Sequence, residues 1–578
     1  MTRNHHEYVM GIQSNRPLSM LGNRQLLTLP HEPHITRSNA DCLNKPDIIY
    51  AMALSDPSLL LSWAKLQDID IHKSIQIKST PQAGLGIFYS GSDPLVTSED
   101  EEPSTLMSVP KKVILTAENI RTFALSYGTT LQELLKSGDE EETLSQRATI
   151  LRFLLFSLHQ FEAPKLQKIA RASNCYAAYL DFMPSPLSRQ SDDAQKLLTA
   201  LSLSDSLPPP PTFWTPGQIS KTVGTSLYSP LAAKVRLLSS EFEQFSSQWQ
   251  DVFEKIDGAC ENDVEISFEE YVRADWLVAS RLMELPMGDE LNIGIIPLID
   301  FANHSTPCHI NAQYEITDDA VKLVSLPGRV APDDELLISY GPSKGSSEIL
   351  FTYGFLIDSE DAGRESVKMR VRDGGVLQLV YGRPPVAEFV VSDGEVTWEC
   401  EFLWLLCVTE EDGFEVSVAQ QVEGPPDVDI SIRGRMLSGV RGQEAVEAMK
   451  EEYGNDGKMR DVLELRRVLI LERWVSGWME DLARAEIREF DEEDQHITEL
   501  AEDDTKGGGT EKDMVDGVIE TLRQREERVY LLVLQELEKS KQKLAKSEAV
   551  MAYLAAQNEE PEGEDEQTPE LTEADELR

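Results

Sequence analysis

The 578-residue sequence predicts an α+β chain: a β-rich core interrupted by a helical segment and followed by a mainly helical C-terminal region. Three observations support this. Short runs of strand character stand at 75–77 and 106–115, and again at 312–316, 321–326 and 336–340. Between these groups, residues 117–258 carry helical spacing. The last third repeats apolar residues at three- and four-residue intervals.

Residues 1–45 are polar, nearly neutral and without periodicity, and read as a disordered leader. Arg3, Arg16 and Arg24 against Glu7 give it a faintly transit-like character, but the apolar stretch at Leu26–Leu27 is too brief for a secretory segment. A helix over 58–65 carries Trp63, and Ile75-Gln76-Ile77 opens a strand. An acid- and serine-rich linker (97–105) precedes a β-rich piece, 106–115, which Pro110 interrupts. Within the helical segment, 148–158 is too apolar to be exposed and too short to span a bilayer, and it carries Arg152. Pro208 to Pro211 read as a stiff extended connector before Phe213 and Trp214. A long helix is predicted over 267–285, then strands 312–316 and 321–326 around Thr317-Asp318-Asp319, and a β-rich stretch at 365–410. Val462, Leu465, Leu469 and Trp478 recur helically, as do Met514, Val518, Leu522, Val529, Val533 and Leu537. Their spacing is irregular against a heptad, and Tyr530, Leu531 and Leu534 widen the stripe. The helices over 440–556 therefore read as a packed recognition domain, not a coiled coil, and a monomer is expected. The tail, 557–578, holds ten acids and one base and is expected to be disordered.

Lys+Arg 54 against Asp+Glu 101 leaves a formal charge of −47. A polyanion repels the phosphate backbone, so direct nucleic-acid binding is disfavoured and basic protein partners are favoured. The six cysteines, at 42, 175, 260, 308, 400 and 407, form no C-x-x-C pair. A zinc cluster and a disulfide framework are both disfavoured; a reducing setting, nucleus and cytoplasm, is expected. His304 and His309 lack an acidic third ligand nearby, so no metal site is predicted. Phosphate-loop, zincin, nucleophile-elbow and kinase signatures are absent from the sequence.

Three ordered segments carry the functional signal. They are Gly84-Leu85-Gly86-Ile87-Phe88; Pro297-Leu298-Ile299-Asp300-Phe301-Ala302-Asn303-His304-Ser305; and Glu335 to Gly341, containing Ile338-Ser339-Tyr340-Gly341, with Tyr353-Gly354-Phe355 downstream. Singly, each has a bland reading: a tight turn, a helix cap, a strand-end tyrosine satisfied by a backbone partner. Together they resemble the SET-domain protein methyltransferases, in the branch typified by Rubisco large-subunit methyltransferase. The resemblance implies a SET domain in two parts, 46–116 and 266–357, split by a helical insertion at 117–265 and followed by a substrate-binding domain at 358–556. No cysteine cluster follows Phe355, unlike most histone-type members of the family.

The implied chemistry is methyl transfer from S-adenosyl-L-methionine to a lysine amine of a non-histone, basic protein, such as a ribosomal protein. Lysine ordinarily titrates near 10.4 and must lose a proton before attack, so a channel that desolvates and aligns the amine supplies most of what is required. By resemblance, the hydroxyl of Tyr340 points at the transferring methyl, and Tyr353 stacks near the cofactor and shapes the lysine channel. Asn303 and the backbone of His304 hold the cofactor; Gly84, Leu85 and Gly86 let main chain approach it. Arg281 pairs with its carboxylate, although a solvated helix arginine is the plain alternative. Ala83 stands where Arg or Glu is common, Asp334-Glu335 replaces Gly-Glu, and Ser346 stands for a loop Asn. A catalytically silent peptide-binding scaffold and a histidine N-methyltransferase are the alternatives, because acceptor identity depends on pocket shape.

Overall fold

The computed structural model describes residues 57–80, 84–100, 102–136, 144–158, 174–180, 182–183, 209–255, 265–287, 290–357, 363–371, 375–419, 427–437, 439–484 and 509–559. The leader (1–45), the acid-rich stretch before Gly509, Ala83 and nearly all of the tail lie outside them.

Helix Pro57–Leu66 leads into a set of small sheets. A four-stranded antiparallel sheet orders Asp70–Ile71, Thr105–Pro110, Ala320–Ser325 and Ala312–Ile316, so chain from both sides of the helical segment shares one sheet. Leu95–Thr97 pairs with Gly328–Val330, and Leu115–Thr116 joins Glu290–Ile295 and Met283–Met287, which repeats the closure twice. Strand alternation explains the choice: Met107, Val109, Val321 and Leu323 are buried, while the paired Ser108 and Lys322 between them are partly exposed. The intervening helices, among them Ala117–Tyr127, Gln146–Leu158 and Tyr228–Phe253, pack their apolar faces onto this core. Gln146–Leu158 is buried along most of its length, as its composition predicts.

A second core lies C-terminal to it. Two three-stranded sheets, Arg364–Arg370/Val386–Ser392/Glu395–Glu399 and Phe414–Ala419/Asp427–Ile432/Arg435–Leu437, pack with helices Gln443–Gly454, Gly457–Arg484 and Gly509–Leu544. A smaller apolar cluster joins the halves: Trp214, Leu231 and Leu350 meet Val515, Ile519 and Leu522.

Several sequence expectations are corrected here. The helix predicted to reach 285 stops at Ala279, and Met283–Met287 is a strand; Pro286 has no amide to donate inside a helix, and this apolar run pairs with Glu290–Ile295 instead. Pro211–Phe213 forms a 3₁₀ turn with proline at its start, so the extended connector does not continue past Pro210. The β-rich stretch at 365–410 also holds helices Gly375–Tyr381 and Leu403–Leu406, and the sheet at 414–437 was not anticipated. Leu469 and Leu531 are exposed, and their neighbours Val468 and Tyr530 take the core positions. Helix Glu548–Glu559 also runs into the first residues of the stretch expected to be tail.

Candidate active site

The site is assembled by a two-residue parallel ladder. Asn303–His304 pairs with Leu337–Ile338, Leu337 opposite Asn303 and Ile338 opposite His304. Parallel pairing needs a long crossover, and here the 312–330 strands supply it. The ladder sets the second motif beside the third. The hairpin Ile75–Thr80/Gly84–Tyr89 brings the first, through an isolated bridge from Phe88 to Glu335.

Asn303 links all three. Its Nδ2 donates to the Leu85 carbonyl at 3.1 Å and to Glu335 Oε1 at 2.6 Å. Gly86 is required by space, since a Cβ there would collide with the Glu335 carboxylate and the Thr80 methyl. Burial raises the Glu335 carboxyl, and the Asn303 amide opposes that shift.

His304 does more than present its backbone. The Tyr340 amide donates to His304 Nδ1 at 3.0 Å, so Nδ1 carries no proton and the ring proton sits on Nε2. The Ile338 oxygen, 3.2 Å from the same nitrogen, therefore receives no hydrogen bond from it. Burial lowers the imidazole's pKa and favours this neutral form. The imidazole stacks on Tyr340 at 5.0 Å, and Tyr340 lies 4.4 Å from Tyr353, centroid to centroid. Phe355 closes the aromatic group, 6.3 Å from both His304 and Tyr353.

The Tyr340 hydroxyl donates to the Ala302 carbonyl at 3.0 Å, which places two oxygens side by side at the end of a half-buried ring. Burial pushes this phenol up to about 12, so it remains a hydroxyl at neutral pH. Tyr353 is the last residue of helix Ser346–Tyr353, which ends at Gly354 in the left-handed region (φ 85°). Ser346 thus begins a helix instead of lying in a loop. Its amide and hydroxyl both bond to Glu365, and Arg525 of the long C-terminal helix donates to its Oγ at 3.0 Å.

Arg281 lies past the C-cap Ser280, not on the helix. Its Nε stands 3.4 Å from Asp300 Oδ2, and Nη1 donates to Ser280 Oγ at 3.0 Å. The Tyr179 hydroxyl donates to the same Asp300 oxygen at 2.7 Å. Burial raises the Asp300 carboxyl to about 6, against the pull of Arg281, Tyr179 and the amides of Leu298 and Asp300.

The structure therefore brings together Leu85, Gly86, Asn303, His304, Tyr340 and Tyr353. Gly84 begins the hairpin strand that carries Leu85 and Gly86, and Arg281 stands behind the group on Asp300. Sequence reasoning gave no site role to Asp300, Glu335, Tyr179 or Lys344. Asp300 and Glu335 sit inside the quoted motifs, which is a usable signal; Tyr179 has none. Among the described residues no cluster of His, Cys, Asp and Glu is suited to hold a metal ion, and no helix is long and apolar enough to cross a membrane.

No protein-family model matches the chain. SET domain-containing protein 8 of Schizosaccharomyces pombe (strain 972) is 30% identical over 251 residues, 42% of this chain and 54% of that protein, so the match spans about half the relative's length. Among solved structures, the SET domain of LSMT bound to lysine and AdoHcy superposes with a TM-score of 0.50 at 12% identity, covering 85% of this chain and 93% of that one. Rubisco LSMT bound to AdoMet gives 0.51 at 11%, covering 88% and 97%. Such low identity speaks to fold, and the extent of cover on both sides makes the likeness architectural. The chain has the SET-domain fold of the LSMT structures, with helices between the parts of its β core and a further α/β region behind it.

Proposed function

We propose that the protein is an S-adenosylmethionine-dependent protein-lysine N-methyltransferase acting on a basic, non-histone protein. One observation carries this reading: the Tyr340 hydroxyl and the Ala302 carbonyl converge at 3.0 Å beside the Asn303–His304 ladder, with the Tyr353 ring tilted against Tyr340. Two uncharged oxygens beside an aromatic group suit a polarised methyl group and a neutral amine. They do not suit metal-assisted hydrolysis or phosphoryl transfer. LSMT structures bound to AdoMet and AdoHcy support the choice of cofactor.

The residues present fit that cofactor. Arg281, with its Nε 3.4 Å from Asp300 and Nη1 on Ser280, holds a fixed positive charge behind the tyrosines, which suits a cofactor carboxylate. Gly86, without a side chain, lets Glu335 and Thr80 pack directly against the main chain of the first motif. When bound, the cofactor supplies an electrophilic methyl on a cationic sulfur; the protein supplies position. Asn303 fixes the hairpin against Glu335, and neutral His304 holds the Tyr340 main chain through Nδ1. The half-buried tyrosines limit the water around an arriving amine and favour its uncharged form. The formal charge of −47 favours encounter with a basic substrate.

Incubation with labelled S-adenosylmethionine and an extract lacking this protein, followed by mass spectrometry of the labelled residue, tests the reading. Label on lysine of a basic protein, with initial rates falling as salt rises, is the expected result. Label on histidine would move the acceptor class. Cofactor and peptide binding without transfer would leave a scaffold.

A further inference from the structure

The amine of Lys344 stands among the site's tyrosines. Nζ donates to the Tyr340 carbonyl at 2.5 Å and to the Tyr353 hydroxyl at 3.4 Å, and lies 5.5 Å from the Tyr353 ring centroid. Gly341, at φ +137°, admits this packing; a Cβ there would stand 3.2 Å from Nζ. The charged and titratable groups around the amine are Glu348 from the helix Ser346–Tyr353 that follows it, Glu284 from strand Met283–Met287, Lys368 from strand Arg364–Arg370, and the His304 ring. Removal from water holds the amine below the ordinary lysine range, which enlarges its free-base fraction. Lys112 offers the contrast, with a side chain 65% exposed and its ammonium on Asp68.

We propose that Lys344 is itself a methyl acceptor, modified in cis by the site it lines. This rests on the methyltransferase reading above. In the step, a bond forms between Nζ and the methyl carbon as the carbon–sulfur bond of the sulfonium donor breaks. The electron pair of that bond stays on sulfur, and one Nζ proton passes to solvent. To reach the Tyr340 hydroxyl, the four-carbon stem leaves the Tyr340 carbonyl and moves along the face of Tyr353. The product keeps its positive charge and its attraction to that face at every stage. One methyl leaves two N–H donors and a second leaves one, so the bond to the Tyr340 carbonyl survives both. A third removes it. The reaction should therefore stop at one or two methyl groups.

The test uses the full chain with a deuteromethyl-labelled S-adenosylmethionine, and digestion to the peptide containing Lys344. Label on Lys344 at a rate independent of protein concentration is expected. Lys344→Arg should remove the label from this segment, and Lys112→Arg should leave it. A second readout needs no cofactor: competitive acetylation of the protein by acetic anhydride across pH, with Lys344 reaching half-reaction at lower pH than Lys112. An unlabelled Lys344 in a protein that binds the donor and methylates extract proteins would overturn the proposal and leave the enzyme reading standing. So would acetylation of Lys344 only at the pH of Lys112, and a second-order rate would overturn the cis geometry. A protein that neither binds the donor nor labels anything overturns the enzyme reading, and this proposal with it.

Discussion

Asp300 and Glu526 are both buried carboxyls, one behind the site tyrosines and the other where the long C-terminal helix meets the helical segment. Asp300 has a guanidinium at 3.4 Å and a phenol at 2.7 Å. Glu526 accepts from the Ser226 amide at 2.8 Å and the Ser226 hydroxyl at 2.5 Å, and no cation is paired with it among the described residues. Two arginines close to it in sequence point elsewhere: Arg523 to the carbonyls of Lys221 and Leu482, Arg525 to Ser346. Burial raises both groups, to about 6 for Asp300 and about 7 for Glu526. Arg281 pulls the Asp300 carboxyl down, whereas the neighbouring Glu365 pushes Glu526 further up; the ordinary difference between Asp and Glu accounts for the rest. At neutral pH the site carboxyl is mostly charged and holds Arg281 in place, while the junction carboxyl is in mid-titration.

Removing the cation should have the largest effect. Arg281→Met strands the Asp300 carboxyl among apolar groups, and unpairing a buried ion typically costs about 3–5 kcal/mol. Chemical denaturation at pH 8 should show a loss of that order, smaller at pH 5, where the carboxyl accepts a proton. Loss of cofactor affinity with stability unchanged would mean that Asp300 does not depend on Arg281.

Tyr340→Phe takes one hydroxyl from the same region without disturbing the pair. Single-turnover methyl transfer should fall at least about 100-fold, roughly 2.7 kcal/mol of transition-state stabilisation, with cofactor binding by calorimetry little changed. Parental rates in this variant would remove Tyr340 from the mechanism.

Glu526→Gln addresses the uncompensated carboxyl. Its native pKa lies above the ordinary 4.5, so its contribution to stability is complete below about 4.5 and is lost as pH rises through about 7. Gln cannot ionise, so the variant should gain roughly 1–2 kcal/mol at pH 8 and flatten the stability profile between 5 and 8. A variant less stable at pH 8 would show that the charged form is the one the junction needs.

Arg525→Met should be the mildest change. Ser346 keeps both bonds to Glu365, so one hydrogen bond is lost and stability should drop by about 0.5–1.5 kcal/mol. A disproportionate fall in turnover would show that the C-terminal helix sets Tyr353 through helix Ser346–Tyr353.

Local sequence was enough for the elements whose pattern is self-contained. Alternating Met107, Val109, Val321 and Leu323 declared strands, and the nearly all-apolar 148–158 declared a buried helix, because burial of one face follows from period alone. The order of the three motifs likewise announced the site's main members. Where two readings of one run compete, partners decide. The run after Ala279 became a strand because Glu290–Ile295 was there to pair with it, and Val468 displaced Leu469 because the helix was rotated by what it packs on. The site's electrostatics belong to the same class. Tyr179 and Asp300 are 121 residues apart, and Ser226 and Glu526 are 300 apart. Desolvation and charge pairing depend on distance in space, which no spacing along the chain encodes. The sequence therefore names the tyrosines and the Asn–His pair, while only the packed chain shows that a histidine nitrogen holds Tyr340, that Arg281 already has a carboxylate, and that a lysine amine rests on Tyr353.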